Sequence, residues 1–212
     1  PTGVALQGSG EVLRGDRHPA GGAANSGVGS TRVGVKTGGD VGFSNSWLFG
    51  LSWLRADADG RESGSEDDPL LFTGDIDLFI TDFVWKWAPN GNSRQKNFKF
   101  QAEYMWRNEK GDYTLPDGVA GPWDYGQSGW YAQAIYQPFP RWRFGARIDH
   151  LSADTPDMMW EGTPLYPSGD DPARYSLMVD WSNSEFSRLR FQYNHDRASD
   201  FTDNQFGLQY IF

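Results

Sequence analysis

The sequence contains no cysteine. This absence excludes a disulfide scaffold, a CxxC redox motif and a thiolate metal site. Only three histidines occur (His18, His150 and His195), and their wide separation argues against a histidine-rich metal centre. No stretch approaches the roughly 18 apolar residues of a transmembrane helix. The net charge of -9 at pH 7 argues against nucleic acid as a main partner.

Aromatic residues, by contrast, are abundant. They make up 16% of the 212 residues, whereas disordered chains are poor in them, so we expect a folded protein. Helical periodicity is nearly absent, and large apolar residues recur at every second position, as they do in strands with one apolar face. This pattern predicts nine strands from Thr31 onward and a weaker strand at Val4–Leu13. No signal peptide precedes Pro1, and we therefore expect a mature chain or a fragment.

One segment changes phase. Its apolar residues occupy even positions up to Ile80 and odd positions from Phe83 onward. We predict a β-bulge between these two residues, because a bulge would restore one continuous apolar face. Two shorter strands are the alternative.

The connections between the predicted strands alternate between short and long. Short connections are predicted at 44–46, 88–96, 138–141 and 182–185. Long ones, acidic and rich in glycine and proline, are predicted at 58–70, 109–127 and 152–173, with an intermediate one at 196–203. Such one-sided alternation is typical of outer-membrane barrels.

We therefore predict an all-β fold, an antiparallel up-and-down transmembrane β-barrel with about 9–10 visible strands, either complete or part of a larger barrel. Residues 1–30 supply the weak first strand and a glycine-rich loop, and residues 31–212 supply the barrel strands with long acidic extracellular loops. A soluble β-sandwich is the alternative. Aromatic residues at the ends of the apolar rows favour the barrel, since such rings prefer the membrane–water boundary. The predicted membrane girdle consists of Trp47, Trp53, Trp106, Trp142, Trp181, Tyr210 and Phe212.

The opposite face of the strands carries charges in mid-strand, where they need water or partners. Five arginines fall on three consecutive strands and would form a basic wall, opposite a mixed wall that includes Asp40 and Asp82. Either these charges line a selective pore, or they pair and fill a narrow barrel. The predicted lumen-lining residues are Arg143, Arg147, Arg174, Arg188, Arg190, Glu103, Arg107, Lys99, Asp149 and Asp180.

The C-terminal segment DNQFGLQYIF ends in Phe212 and has apolar residues at alternate positions back to Phe206. It resembles the terminal strand of bacterial outer-membrane proteins, which the barrel-assembly machinery recognises. If Phe212 lies on the periplasmic side, every long acidic connection lies outside the cell. We accordingly expect contacts with outer-membrane lipid and lipopolysaccharide, with the assembly machinery, and with other barrel or surface proteins.

Several stretches are similar to one family of Gram-negative outer-membrane barrels, the zinc-regulated TonB-dependent outer membrane receptors. They are GDVGFSNSWLFGLSWLRADADG, TDFVWKWAPNGN, FQAEYMWRNEKGDY, SGWYAQAIYQPFPRWRFGARIDHL and NQFGLQYIF, and they cover most of the chain from Asp40 onward. The resemblance implies a porin-like barrel whose C-terminal region is this chain. Family members carry further strands before this region, so the resemblance implies either part of a larger barrel or a shortened relative. The sequence shows neither a plug domain nor a TonB-box segment.

Motifs for catalysis are absent. The sequence lacks G-x-S-x-G, H-E-x-x-H and a Walker loop, and we expect neither enzyme activity nor a cofactor. His195 and Asp196 are adjacent, with Ser199 nearby, but neighbouring residues of a strand point to opposite faces and do not form a dyad. The acidic segment 57–68 suggests either a Ca²⁺ or Mg²⁺ site or a solvated loop near anionic lipopolysaccharide. The solvated loop is favoured, because EF-hand spacing is absent.

These features lead us to expect a porin-like channel for small hydrophilic solutes, anionic solutes among them. Two alternatives stay open. One is a non-conducting structural or surface-binding barrel that acts through its external loops. The other, suggested by the family resemblance alone, is an outer-membrane receptor for the uptake of a metal complex.

Overall fold

The computed structural model describes residues 3–22, 27–166, 171–184, 186–198 and 201–212, with Phe201 described by its backbone only. In these segments the chain forms eleven strands and two short 3-10 turns, Pro89–Gly91 and Met158–Trp160. The strands are β1 (Val4–Leu13), β2 (Gly21–Gly22), β3 (Ser30–Val41), β4 (Asn45–Gly64), β5 (Pro69–Trp87), β6 (Asn97–Thr114), β7 (Ala120–Phe139), β8 (Trp142–Ala153), β9 (Ala173–Ser184), β10 (Ser187–Ala198) and β11 (Phe201–Ile211). None of the helices in the described segments is long and apolar enough to cross a membrane.

The strands form one antiparallel up-and-down sheet. Its order is β1-β3-β4-β5-β6-β7-β8-β9-β10-β11, and the short β2 pairs parallel with β4. The predicted nine strands after residue 30 and the first strand at Val4–Leu13 are confirmed, as is the all-β antiparallel arrangement. Within the described residues no ladder joins β1 to β11, so the sheet is open and these two strands are its edges.

The two ends of the sheet differ in their connections. Residues 42–44, 88–96 and 140–141 and the β9–β10 connection lie at one end, which we call the short-turn end. The end of β11 also lies there, because Ile211 pairs with Arg188 at the start of β10. The opposite end, the long-hairpin end, carries the long connection between β8 and β9 that the sequence predicts.

The predicted β-bulge between Ile80 and Phe83 is wrong. β5 pairs with β6 without a register shift from Leu71 to Trp87. Even-numbered residues of β5, such as Ile76, therefore point to the face opposite Phe83. Ile76 is fully buried there. The apolar residues change phase because a buried cluster near the long-hairpin end takes up apolar side chains from this second face.

Two of the predicted long loops are also wrong. Most of 58–70 and 109–127 is strand, since only 65–68 separate β4 from β5 and only 115–119 separate β6 from β7. A register shift lies between Ala58 and Arg61, where Gly60 has a φ of 70°. The Gly60 N–H donates to the Thr73 hydroxyl at 2.9 Å. Acidic and glycine-rich composition did not stop these strands, because charged side chains leave the backbone free to pair.

The sheet has an apolar face and a polar face. On the apolar face Leu51 lies opposite Thr81, and Thr81 lies opposite Tyr104 on the next strand. Large side chains on this face are open to solvent, as shown by Leu177 at 58% exposure. On the polar face of the same strand, Asp180 is 0% exposed. The most deeply buried charge of this strand thus lies on the polar face, whereas a large apolar side chain of the opposite face is exposed.

The buried core is small and lies on the polar face at the long-hairpin end. Register brings Phe72 opposite Tyr113, and their rings lie 5.1 Å apart. Trp160, from the β8–β9 connection, packs on Trp123 with 6.1 Å between ring centroids. Its indole N–H also donates to the Pro122 carbonyl at 3.1 Å. Burial of an aromatic side chain stabilises by about 1.5–3 kcal/mol, so this cluster holds the β8–β9 connection against the sheet.

Candidate functional site

The polar face is the candidate site, because the register places all ten predicted lumen-lining residues on it. Arg143 lies opposite Asp180, and Asp180 lies opposite Arg190. In a second row, Asp149 lies opposite Arg174, which lies opposite Asp196. These two rows cross β8, β9 and β10, where the sequence predicts a basic wall. The polar-face set is Arg143, Arg147, Arg174, Arg188, Arg190, Glu103, Arg107, Lys99, Asp149 and Asp180.

Asp180 is the centre of the first row, near the short-turn end. Its carboxylate accepts two hydrogen bonds from Arg190, at 2.7 and 3.0 Å. Arg143 donates a further bond to Asp180 at 3.0 Å. Arg188 approaches the same carboxylate at 3.7 Å, which is too long for a hydrogen bond. A single carboxylate therefore meets three guanidinium groups, and among the described residues this cluster has two more positive than negative charges.

The second row is closer to neutral. Arg147 makes a two-pronged contact with Asp149, with bonds between 2.5 and 2.9 Å. Its guanidinium also lies 3.9 Å from the centre of the Tyr131 ring. Arg174 pairs with Asp196, one of the bonds measuring 2.9 Å. The wall is thus less basic than its arginine content indicates, and its excess charge is concentrated around Asp180.

The remaining predicted residues lie on the β6 part of the polar face. Lys99 borders a cleft of about 630 Å³ at the short-turn end, together with Asp40 and Lys86. Glu103 lies opposite Asp82 and Tyr131 on the flanking strands. Both signs of charge occur here, which agrees with the mixed wall expected from the sequence.

Arg107 leads to a buried ion pair that sequence reasoning missed. Arg107 lies 3.8 Å from Glu109, and Glu109 accepts a hydrogen bond from Arg61 at 2.8 Å. Arg61 also donates to the Pro19 carbonyl at 2.7 Å and to the Tyr113 hydroxyl at 3.3 Å. Burial opposes the charge of Arg61, but Glu109 and Tyr113 outweigh that effect and raise the pKa of Arg61.

The pair was missed because both partners lie in segments that the sequence predicts as loops. The sequence carries no clear signal for the pair, because the apolar residues at even positions of β6 end at Trp106. The pair joins β4, β6 and the 14–22 segment at the long-hairpin end.

The predicted aromatic girdle lies on the apolar face. Near the short-turn end Trp142 and Trp181 pack with 6.5 Å between ring centroids. Toward the long-hairpin end Phe79 stacks between Trp53 and Trp106, at 6.1 and 5.5 Å. These rings form two aromatic levels, one near each end of the apolar face. On β4 the levels are marked by Trp47 and Trp53, which are six residues apart, so the levels are separated by about 20 Å along the strand.

Polar residues appear on the same face directly beyond the second level. The Trp53 indole N–H donates to Asp77 at 2.8 Å, and Arg55 pairs with Asp75 at 2.8 Å. Tyr210 lies on the apolar face of β11, opposite Leu189, and Phe212 follows the strand, almost fully exposed. The apolar band is thus bounded by aromatic rings at both ends, and ion pairs follow beyond the rings nearer the long-hairpin end.

The adjacent His195 and Asp196 have separate partners. The His195 ring contacts Asn204 at 2.9 Å, whereas Asp196 pairs with Arg174. Ser199 lies outside the described residues. Across the described segments no group of three or more histidine, aspartate or glutamate side chains is arranged to hold a metal ion.

Comparison with known proteins gives limited information. No protein-family model matches the chain, and no solved structure matches it. The chain is similar to an uncharacterized protein of Aquifex aeolicus (strain VF5), with 27% identity over 164 residues. The alignment covers 77% of this chain and 33% of that protein, so the chain spans about a third of the length of the curated relative it matches.

Proposed function

We propose that this chain is a membrane-spanning part of a bacterial outer-membrane β-barrel, and that the barrel is a porin-like channel for small hydrophilic solutes, anionic ones included. The single observation that carries the proposal is the exposed apolar band with ion pairs on the opposite face. A soluble protein buries such a face, and contiguous exposed apolar patches mark sites of contact with a partner or a membrane.

The dimensions of the band support lipid as that partner. The two aromatic levels lie about 20 Å apart along the strand. Outer-membrane barrels have an apolar band about 25 Å tall between two aromatic girdles. These aromatic rings lie on six strands (β4, β5, β6, β8, β9 and β11), and a soluble partner would not require rings at two levels across so many strands.

Closure of the sheet is part of the proposal. Lipid offers no hydrogen bonds to a strand edge, so β1 and β11 must find partners inside a membrane. A relative three times as long as the matched region supports closure by further strands of a longer protein. A barrel enlarged by such further strands has room for a water-filled path between charged walls.

Single-channel recording tests the proposal. The full-length protein, refolded in detergent and added to a planar lipid bilayer, is expected to give discrete conductance steps. Arg190→Gln removes one positive charge from the polar face and should lower the preference for anions over cations. Arg55→Gln, on the apolar side beyond the band, is the matched control and should leave the preference unchanged. Folded protein that gives no current would refute the channel.

A non-conducting barrel is the second candidate, and the buried cluster at the long-hairpin end favours it. Trp160 and the Arg61–Glu109 pair are buried on the polar face, and in a closed barrel they would narrow a path along that face. Trp160→Ala is expected to raise conductance if the cluster closes a pore. Met158→Ala, a change at an exposed neighbour, is the control. Recordings that stay silent for both variants would support the non-conducting barrel.

A further inference from the structure

A cleft at the short-turn end combines open volume with a concentration of arginine side chains. It measures about 690 Å³ and lies between the β7–β8 and β9–β10 turns. Four arginines line it. Arg94 and Arg141 lie in connections between strands, whereas Arg143 lies in β8 and Arg188 in β10. Among the described residues that line it there is no aspartate or glutamate.

Asp180, the one described carboxylate paired with arginines of this cleft, offsets only part of their charge. Asp180 is fully buried behind it, and its oxygens already accept three hydrogen bonds from Arg190 and Arg143. Arg188 is only 3.7 Å from that carboxylate, and its Nε atom is buried without a hydrogen-bond partner among the described groups. In the described segments no ion pair involves Arg94 or Arg141. The cleft therefore holds guanidinium donors in excess.

Hydrogen bonds hold the backbone at two of these arginines, Arg94 and Arg141. The Gln137 side-chain amide donates to the Arg94 carbonyl at 2.8 Å, which fixes the 88–96 connection against β7. Arg141 has a φ of 74°, and its carbonyl accepts a hydrogen bond from the Ser182 N–H at 2.8 Å. A left-handed conformation is unfavourable for arginine, so this turn is held by its surroundings rather than by its own preference. The backbone of the cleft is therefore formed before a ligand binds, which lowers the ordering cost of binding.

We propose that this cleft binds an oxyanion, a phosphate or carboxylate group carried by a small solute. Guanidinium groups bind such groups through paired, charge-assisted hydrogen bonds, and several arginines around one cleft can contact all sides of a tetrahedral anion. The inference rests on the proposed function in its location: if the barrel is a channel, the cleft lies at the channel's short-turn mouth. An anion bound there would be favoured for entry over a cation.

Calorimetric titration of inorganic phosphate into the full-length protein, refolded in uncharged detergent, tests the site. The wild-type protein is expected to bind phosphate saturably, and added sodium chloride should weaken the binding by screening. The variant Arg94→Gln with Arg141→Asn removes two charges from exposed connections, and asparagine tolerates the left-handed turn. We expect its Kd to rise about tenfold or more, as for loss of a charge-assisted hydrogen bond. Arg17→Gln, an exposed arginine at the opposite end, should bind like wild type.

The outcomes separate the site from the channel. Phosphate binding without conductance would retain the site and overturn the channel, whereas conductance without saturable phosphate binding would overturn the site alone. Equal affinity in the wild type and the double variant would also overturn the site. Circular dichroism of each variant checks that the β-sheet is intact. If the double variant fails to fold, Arg188→Gln provides the same test from within β10.

Discussion

Replacing Glu109 by glutamine should destabilise the protein strongly, although it changes one atom of a side chain. The substitution leaves Arg61 charged, buried and without its carboxylate. Losing one partner of a buried ion pair typically costs about 3–5 kcal/mol. Arg61 keeps the Pro19 carbonyl at 2.7 Å and the Tyr113 hydroxyl at 3.3 Å. We therefore expect a loss of about 2–3 kcal/mol in the free energy of unfolding.

Urea unfolding of the refolded protein in detergent micelles measures this loss. Tryptophan fluorescence is a suitable signal, because Trp123 and Trp160 lie in the same buried cluster. Glu62→Gln, at an exposed position near the same end, is the matched control and should change stability by less than about 0.5 kcal/mol. Combining Arg61→Met with Glu109→Met should recover part of the loss, since no unpaired charge is left. A cost below about 1 kcal/mol for Glu109→Gln would show that Arg61 reaches water, and would refute the buried pair.

Three further predictions concern other parts of the sheet. Trp160→Ala should lower the free energy of unfolding by about 3–5 kcal/mol in urea titrations, and an unchanged midpoint would contradict its anchoring role. Partial burial and the charge of Arg107 lower the pKa of His18 in the folded protein. The folded state therefore disfavours the protonated ring, so the free energy of unfolding is highest above about pH 6.5 and declines as the pH falls below it. Limited proteolysis of 14–22 should therefore speed up on acidification, and His18→Gln should abolish that dependence. Leu177→Arg should lower the free energy of folding into lipid vesicles by about 2–4 kcal/mol in favour of the unfolded state. The control Asn108→Arg, beyond the apolar band on the same face, should change it little. Equal losses for the two variants would exclude lipid at Leu177.

Strand positions and faces were predictable because a sheet with one apolar face has a strict period of two. Each of the ten proposed polar-face residues lies on one side of the sheet, and the weak first strand has the bounds expected from its sequence. The same reasoning could not reveal which charges pair, since pairing depends on register between strands. Asp180, opposite both Arg143 and Arg190, became the centre of a cluster only through that register.

The mispredicted strand ends lie at the long-hairpin end, and the mispredicted bulge, farther along β5, also results from the packing there. There the polar face stops being polar and encloses Phe72, Ile76 and Tyr113. Along β5 the apolar positions therefore change from one face to the other, and alternation alone misreads this change as an irregularity of the strand. Glycines and acids in the same stretches imitate loop composition, so the sequence predicts strand ends well before Gly64 and Thr114, where the ladders end.

The order of the strands has a consequence for how the chain assembles. Every long strand pairs with its neighbour in sequence, so each ladder can form as a local hairpin with little loss of chain entropy. In the proposed barrel, only the pairing of β1 and β11 with their partners would bring distant segments together. Assembly would then proceed hairpin by hairpin, with closure as the last and slowest event. Until closure, the unpaired backbone groups of these two edge strands are where an insertion catalyst could bind.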